Sequence, residues 1–384
     1  MIGRIVRLKE TIRQELKSNK YFYFVIFFAL LSMAAIFLIF GFQKHEDTTT
    51  YISIIHWFSD PSLSSFPTRI IEFLLGILRP ISPLLAVPFQ FLGDGAGLIV
   101  QNSIFYLLIA ILIFKITDLI FQNKKQAFYA SIFFMAAPPI LETGLSYMTD
   151  TGSLFFYVLS LYLTLLYFKS GKESLIPING FLSGFGILMK ETGGIGIIFF
   201  IIMILLSKRF IIREKILKIT RFTTFFLLPV LVWNAILFYS FRYSHFHHYL
   251  FMKTRYLDVK GFQIYIDHFV SLFGSIEIIG WILAVFGVYW LWRRRDLEKL
   301  KIFFAMLPTS LSFILWPAND FRLGLVFVPL GVILASTGLV LLEEKFRIKK
   351  KFLVILIILS YVIINYYFYS IRDFIPFIDL KDIF

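Results

Sequence analysis

Ten long stretches of this 384-residue chain carry no Asp, Glu, Lys or Arg: 21–43, 95–114, 126–141, 151–168, 174–189, 192–207, 222–241, 302–319, 323–342 and 352–371. An eleventh, 269–292, is interrupted only by Glu277. A helix needs roughly 20 apolar residues to cross the hydrocarbon core of a bilayer, with about 17 as a lower limit. The three shortest stretches reach that length only if their charged flanks snorkel to the interface. The pattern therefore predicts an all-α polytopic integral membrane protein with about eleven spanning helices. The composition agrees: 58% of residues are hydrophobic and 16% charged, far more apolar than a soluble domain requires. Strand-like alternation between hairpin turns is missing, which argues against an outer-membrane barrel.

Charge sets the expected orientation. The net charge of +14 would suit nucleic acid, but its distribution follows the positive-inside bias instead. With a cytoplasmic N-terminus and alternating helices, the basic clusters 208–221 (KRFIIREKILKITR), 293–301 (RRRDLEKLK) and 345–351 (KFRIKKK) all fall on the cytoplasmic side. No nucleic-acid partner is expected, and the basic balance suits anionic lipid headgroups. The first twenty residues, MIGRIVRLKETIRQELKSNK, read as a retained amphipathic segment, because the apolar stretch behind them is too long for a cleaved signal and lacks a small-residue cleavage site. Most acids fall on the outer side, where two long segments, 44–94 and 242–268, place the chemistry. With no cysteine, no disulfide or thiolate metal site can form. Modest length and zero cysteines point to a prokaryotic plasma membrane.

Four divisions follow from this pattern: an N-terminus, 1–20; a membrane module, 21–210; a second module, 211–371, with its outer loop at 242–268; and an outer tail, 372–384. Within the first outer segment, FPTRIIEFLLGIL (66–78) puts Ile70, Phe73, Leu74 and Ile77 on one face. That spacing predicts a helix lying flat in the interface, ended by Pro80, Pro83 and Pro88.

An acidic pair, Glu46-Asp47, follows the first span, with Tyr51 four residues after Asp47. Next come RPISPLLAVPFQFLGDGAGLIVQNSIFYLL, then SYMTDTGSLFFYVLSLYLTLL (146–166), then GFLSGFGILMKETGGIGIIFF (180–200). In this order the motifs resemble the GT-C-type membrane glycosyltransferases, most of all the branch of the protein mannosyltransferases and lipid A aminoarabinose transferases. The resemblance covers roughly residues 20–210. The chain departs from it in having Glu before Asp in the acidic pair, a later tyrosine and a loosely matching C-terminal half.

The resemblance implies an outer-face reaction in which a sugar leaves a polyprenyl-phosphate donor. It implies Asp47 as general base with Glu46 in support, since an attacking hydroxyl must lose its proton as the bond forms. Asp150 would form the second acidic site, although an Asp at a helix start can also simply cap it. Glu142, eight residues earlier, is a lesser candidate for substrate binding, with Tyr51. Lys190 breaks the positive-inside trend by standing at an outer helix end, so it is the first choice to hold the departing phosphate; Glu191 would pair with it or touch substrate.

In RYSHFHHYLFMKTRYLDVKGF (242–262), Arg242, Lys253, Arg255 and Lys260 stand among aromatics, as a lipid phosphate at the interface would need. His245, His247 and His248 read as interfacial residues without a ligand. Arg322 enters the membrane in WPANDFRLGLVFVP (316–329) and must pair, either with Asp320 or with the lipid phosphate. Glu277 lies within a span, protonated, paired or lining a cavity.

The expected activity is inverting transfer of a hexosyl or pentosyl group to an outer-face glycan, lipid or protein. The lipid-linked sugar is the co-substrate. No cofactor is firmly implied, and a divalent metal is compatible. Two rivals remain. One is a polymerase or ligase using a polyprenyl-diphosphate glycan, which would lean on Arg242 and Arg255. The other is a glycolipid transporter or flippase, which would need polar residues on several helices; inverted repeats that would favour it are not evident.

Overall fold

A computed structural model describes residues 2–41, 48–60, 73, 76–260, 263–315, 321–345 and 350–371. Helix α1 runs Ile2–Phe40 and α2 Thr48–Ser59. After them come α3 (Ile81–Ala86), continued by a 3-10 turn Val87–Leu92, and α4 (Ala96–Phe121). Next are α5 (Lys124–Met135), α6 (Pro138–Thr143), α7 (Asp150–Ser170), α8 (Leu175–Met189) and α9 (Gly196–Leu206). The remainder is α10 (Ile212–Phe241), α11 (His245–Lys260), α12 (Gln263–Gly274), α13 (Glu277–Arg293), α14 (Leu297–Ser310), α15 (Val328–Lys345) and α16 (Lys350–Ile371). No strand occurs among the described residues.

Local chemistry sets the breaks. Gln122 takes the left-handed conformation that closes α4, and the Asn123 side chain then accepts from the Lys125 and Gln126 amides to start α5. Gly171, at φ +70°, closes α7. Pro138 and Pro139 end the apolar run that begins in α5, so 126–141 forms two short helices rather than one span.

Four described helices are long and apolar enough to cross a membrane: Asn19–Phe40, Ala96–Phe121, Asp150–Ser170 and Ile212–Phe241. The stretch 269–292 does not form one straight helix. It breaks between α12 and α13 with a bend of 79°, and Glu277, expected well inside a span, instead starts α13 with a left-handed φ of +54°. The stretches 174–189 and 192–207 yield helices of 15 and 11 residues, both shorter than a full span requires.

Large apolar side chains face outward along the long helices. Leu38 is 87% exposed and Ile278 71%, a placement that suits lipid and would be costly in water. The protein is an integral membrane protein. Its interior is aromatic, with Tyr106, Tyr157, Phe133, Phe134 and Phe199 all fully buried. Ser32 shares hydrogen bonds of 2.8 Å with both Tyr106 and Tyr366, joining α1, α4 and α16. Helices α13 and α15 approach so closely that a Cβ on Gly338 would lie 1.9 Å from the Leu283 carbonyl oxygen. Small residues permit such contact, the usual device of helices packed in lipid.

Candidate active site

Asp150 is the first residue of α7. A network of polar contacts holds the loop before it: Asn102 Nδ2 donates to the Ser146 and Met148 carbonyls at 2.6 and 2.7 Å. The Thr151 hydroxyl reaches back to the Thr143 carbonyl at 3.0 Å. The Asp150 side chain does not cap its helix; it is only 4% exposed and turns to other partners. Lys190 Nζ donates to Asp150 Oδ1 at 2.5 Å. Arg322 Nη1 lies 3.9 Å from Asp150 Oδ2, too far for a hydrogen bond, and Oδ2 has no hydrogen-bond partner among the described residues.

Lys190 reaches Asp150 because of a tight glycine hairpin. It ends α8 in extended backbone, φ −167° and ψ 151°, before a 3-10 turn at Glu191–Gly194. Gly186 and Gly193 face each other across the hairpin, where a Cβ on either would lie 2.3–2.4 Å from the other's carbonyl oxygen. Extended backbone sends consecutive side chains to opposite sides, so Glu191 turns away from Lys190. The sequence expectation that those two neighbours pair is corrected: Glu191 takes Arg79 instead. Arg79 Nη2 and Nε donate to its two carboxylate oxygens at 2.9 and 3.3 Å, a two-pronged geometry suited to guanidinium.

Arg79 Nη1 also donates to the Tyr51 hydroxyl at 2.8 Å, and that hydroxyl shares a 3.3 Å hydrogen bond with Thr149, the neighbour of Asp150. Arg79 and Tyr51 thus join the Glu191 and Asp150 ends of one buried cluster. Burial pushes the Glu191 carboxyl up, but the Arg79 guanidinium and its own backbone amide outweigh it and bring the group down to about 2. Burial would lower the Arg79 pKa, yet Glu191 and Tyr51 drive it well above its ordinary range.

Sequence reasoning missed Arg79, which lay within the motif quoted as RPISPLLAVP; an arginine just before a proline in an otherwise apolar outer segment was the available signal. His245 and His248 were read as interfacial residues without a ligand. Both belong to α11 and feel the charges of Glu191 and Arg79. His248 is 3% exposed.

The other candidates lie elsewhere. Glu46 and Asp47 are outside the described residues; Thr48, directly after Asp47, is buried at the start of α2. Arg242 is exposed, closing α10 in a left-handed turn with its guanidinium 5.6 Å over Phe238, and does not join the cluster. Lys253 is exposed on α11, where the side chains of Arg255 and Lys260 lie outside the described residues. Glu142 is partly buried in α6, and Asp320, considered a partner for Arg322, is not described. Of the interfacial stretch 66–78, Phe73 and Ile77 are described and buried. Among the described residues no three His, Cys, Asp or Glu side chains gather to hold a metal.

Residues 89–233 match the family model of dolichyl-phosphate-mannose-protein mannosyltransferase. Two solved structures of the Archaeoglobus fulgidus oligosaccharyltransferase are similar to the whole chain. The first, a complex with zinc and sulfate, aligns at TM-score 0.57 and 15% identity over 91% of this chain and 52% of that one. The fold is of the GT-C glycosyltransferase type. The second, tethered by a disulfide to an acceptor peptide containing the NVT sequon, aligns at TM-score 0.56 and 15% identity over 92% of this chain and 55% of that one. The chain thus spans just over half the length of these structures. No curated protein matches it. The GT-C resemblance read from the N-terminal half therefore extends, as a fold, through the loosely matching C-terminal half.

Proposed function

We propose that this protein is an inverting membrane glycosyltransferase. It takes a sugar from a polyprenyl-phosphate donor and passes it to a hydroxyl or amine of a glycan, lipid or protein on the outer face. One observation carries the reading: Lys190 and Arg322 both converge on the buried Asp150, and the Arg79–Glu191 pair is bridged to it through Tyr51 and Thr149. Cations gathered in a site of low dielectric bind a further anion strongly. A lipid phosphate supplies that anion, and the same cations stabilise it as it departs.

In this reading the acceptor oxygen or nitrogen attacks the anomeric carbon from the face opposite the phosphate. The carbon–oxygen bond to the phosphate breaks, the phosphate leaves into the hold of Lys190 and Arg322, and the acceptor proton goes to Asp47. Glu46 supports Asp47, and Asp150 keeps Lys190 in place until the phosphate competes for it. Arg79, fixed by Glu191 and Tyr51, lends positive potential at the rim.

The test is sugar transfer by purified protein in lipid nanodiscs, using a polyprenyl-phosphate sugar. Asp47→Asn is expected to abolish turnover while keeping donor binding, and Lys190→Met to weaken both. Full turnover by Asp47→Asn would overturn the assignment of the base. Unchanged donor binding by Lys190→Met would overturn the assignment of the phosphate site.

A further inference from the structure

One cavity among the described residues lies far from Asp150. It opens at the opposite end of α7, with a volume of about 560 Å³. Asp150 begins α7 and Lys169 nearly ends it, so at 1.5 Å per residue the two lie about 28 Å apart along the axis. The C-terminal ends of α4, α7 and α9 and the first turns of α14 line this cavity.

Its rim is basic. Lys169, Lys208, Arg209, Lys299 and Lys301 line it, against two acids, Asp296 and Glu298. Those acids are already engaged: Asp296 with Lys299, and Glu298 with Lys301 at 2.6 Å. Arg209 donates to the Phe168 carbonyl at 2.7 Å, which fixes its direction. Lys169 and Lys208 are exposed and form no ion pair among the described residues. The walls are apolar: Leu165 is buried in the main core, and Met203 and Ile302 pack against that core.

We propose that this cavity binds an anionic phospholipid, with the head phosphate between Lys169 and Lys208 and part of an acyl chain along Leu165, Met203 and Ile302. The positive-inside bias accounts for basic residues at these helix ends, but not for their gathering around an apolar hollow. A free phosphate would use the rim alone. A phospholipid uses rim and wall together, and it is available at the level where helix ends meet headgroups. Basic pockets between membrane helices are suited to such heads. The proposal concerns a face remote from the catalytic cluster and does not rest on the glycosyltransferase reading.

The experiment titrates the full-length protein, purified and delipidated in detergent, with phosphatidylglycerol, phosphatidylcholine, inorganic phosphate or glycerol 3-phosphate. Retained lipid is read by native mass spectrometry and stability by thermal unfolding. Phosphatidylglycerol is expected to be retained and to raise the melting temperature, whereas phosphatidylcholine and the two soluble phosphates do neither at equal concentration. The double variant Lys169→Gln/Lys208→Gln, altered at exposed positions, should melt like the wild type in phosphatidylcholine yet bind phosphatidylglycerol about tenfold more weakly. As control, Arg213→Gln/Arg293→Gln removes two exposed cations from the neighbouring ends of α10 and α13, outside the cavity; it should bind like the wild type. Equal weakening in both double variants would overturn the site in favour of diffuse surface charge. Undiminished binding by Lys169→Gln/Lys208→Gln, or equal stabilisation by inorganic phosphate, would overturn it as well.

Discussion

Lys190 Nζ sits 2.5 Å from Asp150 Oδ1, although 39 residues lie between the two in sequence. Both side chains are largely buried, so each would be costly alone. Lys190→Met leaves Asp150 with Arg322 at 3.9 Å as its remaining ion pair. Breaking a buried pair from one side costs about 3–5 kcal/mol. We expect a correspondingly lower melting temperature and, under the proposed function, at least about a hundredfold loss of sugar transfer. Asp150→Asn combined with Lys190→Met should recover most of the stability and none of the transfer. Thermal unfolding in detergent and a transfer assay check both arms, and a double variant as unstable as the single one would show that the pair is not the source.

The Tyr51 hydroxyl accepts from Arg79 and reaches Thr149, so it aligns the guanidinium with the loop before Asp150. Tyr51→Phe removes a bond to a charged donor, for which about 1.5–3 kcal/mol is expected. Arg79 keeps its two bonds to Glu191, so KM for the lipid donor should rise several-fold with kcat little changed. Arg79→Lys should be far worse, because an ammonium cannot reproduce the two-pronged grip on Glu191. Steady-state kinetics on both variants separate the cases; a Tyr51→Phe enzyme with lowered kcat and normal KM would assign the hydroxyl a part in the chemistry instead.

Much of this was legible in the sequence, and the parts that were not have identifiable causes. The helical membrane class follows from uncharged stretches alone, because a bilayer tolerates little else. Lys190 stood out as a cation at an outer helix end, and Asp150 as the second acid that the resemblance implies. Their pairing did not, since Lys190 and Glu191 are adjacent in sequence and only the extended backbone at Lys190 shows that they diverge. Arg79 was hidden because its neighbours are apolar and its partner lies 112 residues away. The break before Glu277 had a signal that went unused, the Gly274-Ser275 pair where the helix ends; it was passed over because no charge or proline interrupts the apolar run at that pair.

Acid should loosen α11. Burial lowers the His248 pKa, Glu191 opposes that, and Arg79 and His245 add to it, leaving the group at about 4. The ring nitrogen Nδ1 of His248 shares a 3.4 Å hydrogen bond with the Tyr243 hydroxyl, and His245 is lowered in the same direction, first by burial. In the unfolded chain a histidine titrates near 6.5. Between about pH 6.5 and 4 the opened state therefore binds a proton that the folded state refuses, so stability falls as pH falls through that window. Glu191, at about 2 when folded against 4.5 otherwise, adds a second loss in the same direction below pH 4.5. The protection factors of the amides in α11, which compare observed with intrinsic exchange at each pH, should fall as pH drops from 6.5 to 4, with uptake of about one proton on opening. In His248→Phe the change over that window should shrink, while the loss below pH 4.5 should persist. A protection factor independent of pH in the wild type would disprove the link.

The hairpin glycines offer a test of position rather than of charge. A methyl group on Gly186 would lie 2.4 Å from the Gly193 carbonyl oxygen, and one on Gly193 would lie 2.3 Å from that of Gly186. Both obstacles are backbone, so the two arms must separate. Separation moves Lys190 away from Asp150 and Glu191 away from Arg79 together. Gly186→Ala and Gly193→Ala should therefore lower the melting temperature and, if the chain is the proposed transferase, reduce transfer by at least about a hundredfold, because catalytic groups displaced by about 1 Å can lose that much. Gly171→Ala is the matched control. Its backbone φ of +70° strains any side chain, yet nothing lies within 4 Å of the added methyl, so it should cost about 1–2 kcal/mol of stability and leave transfer within about twofold. If the hairpin variants lose stability but keep transfer like this control, the close glycine contact serves folding alone, and the placement of Lys190 survives a wider hairpin.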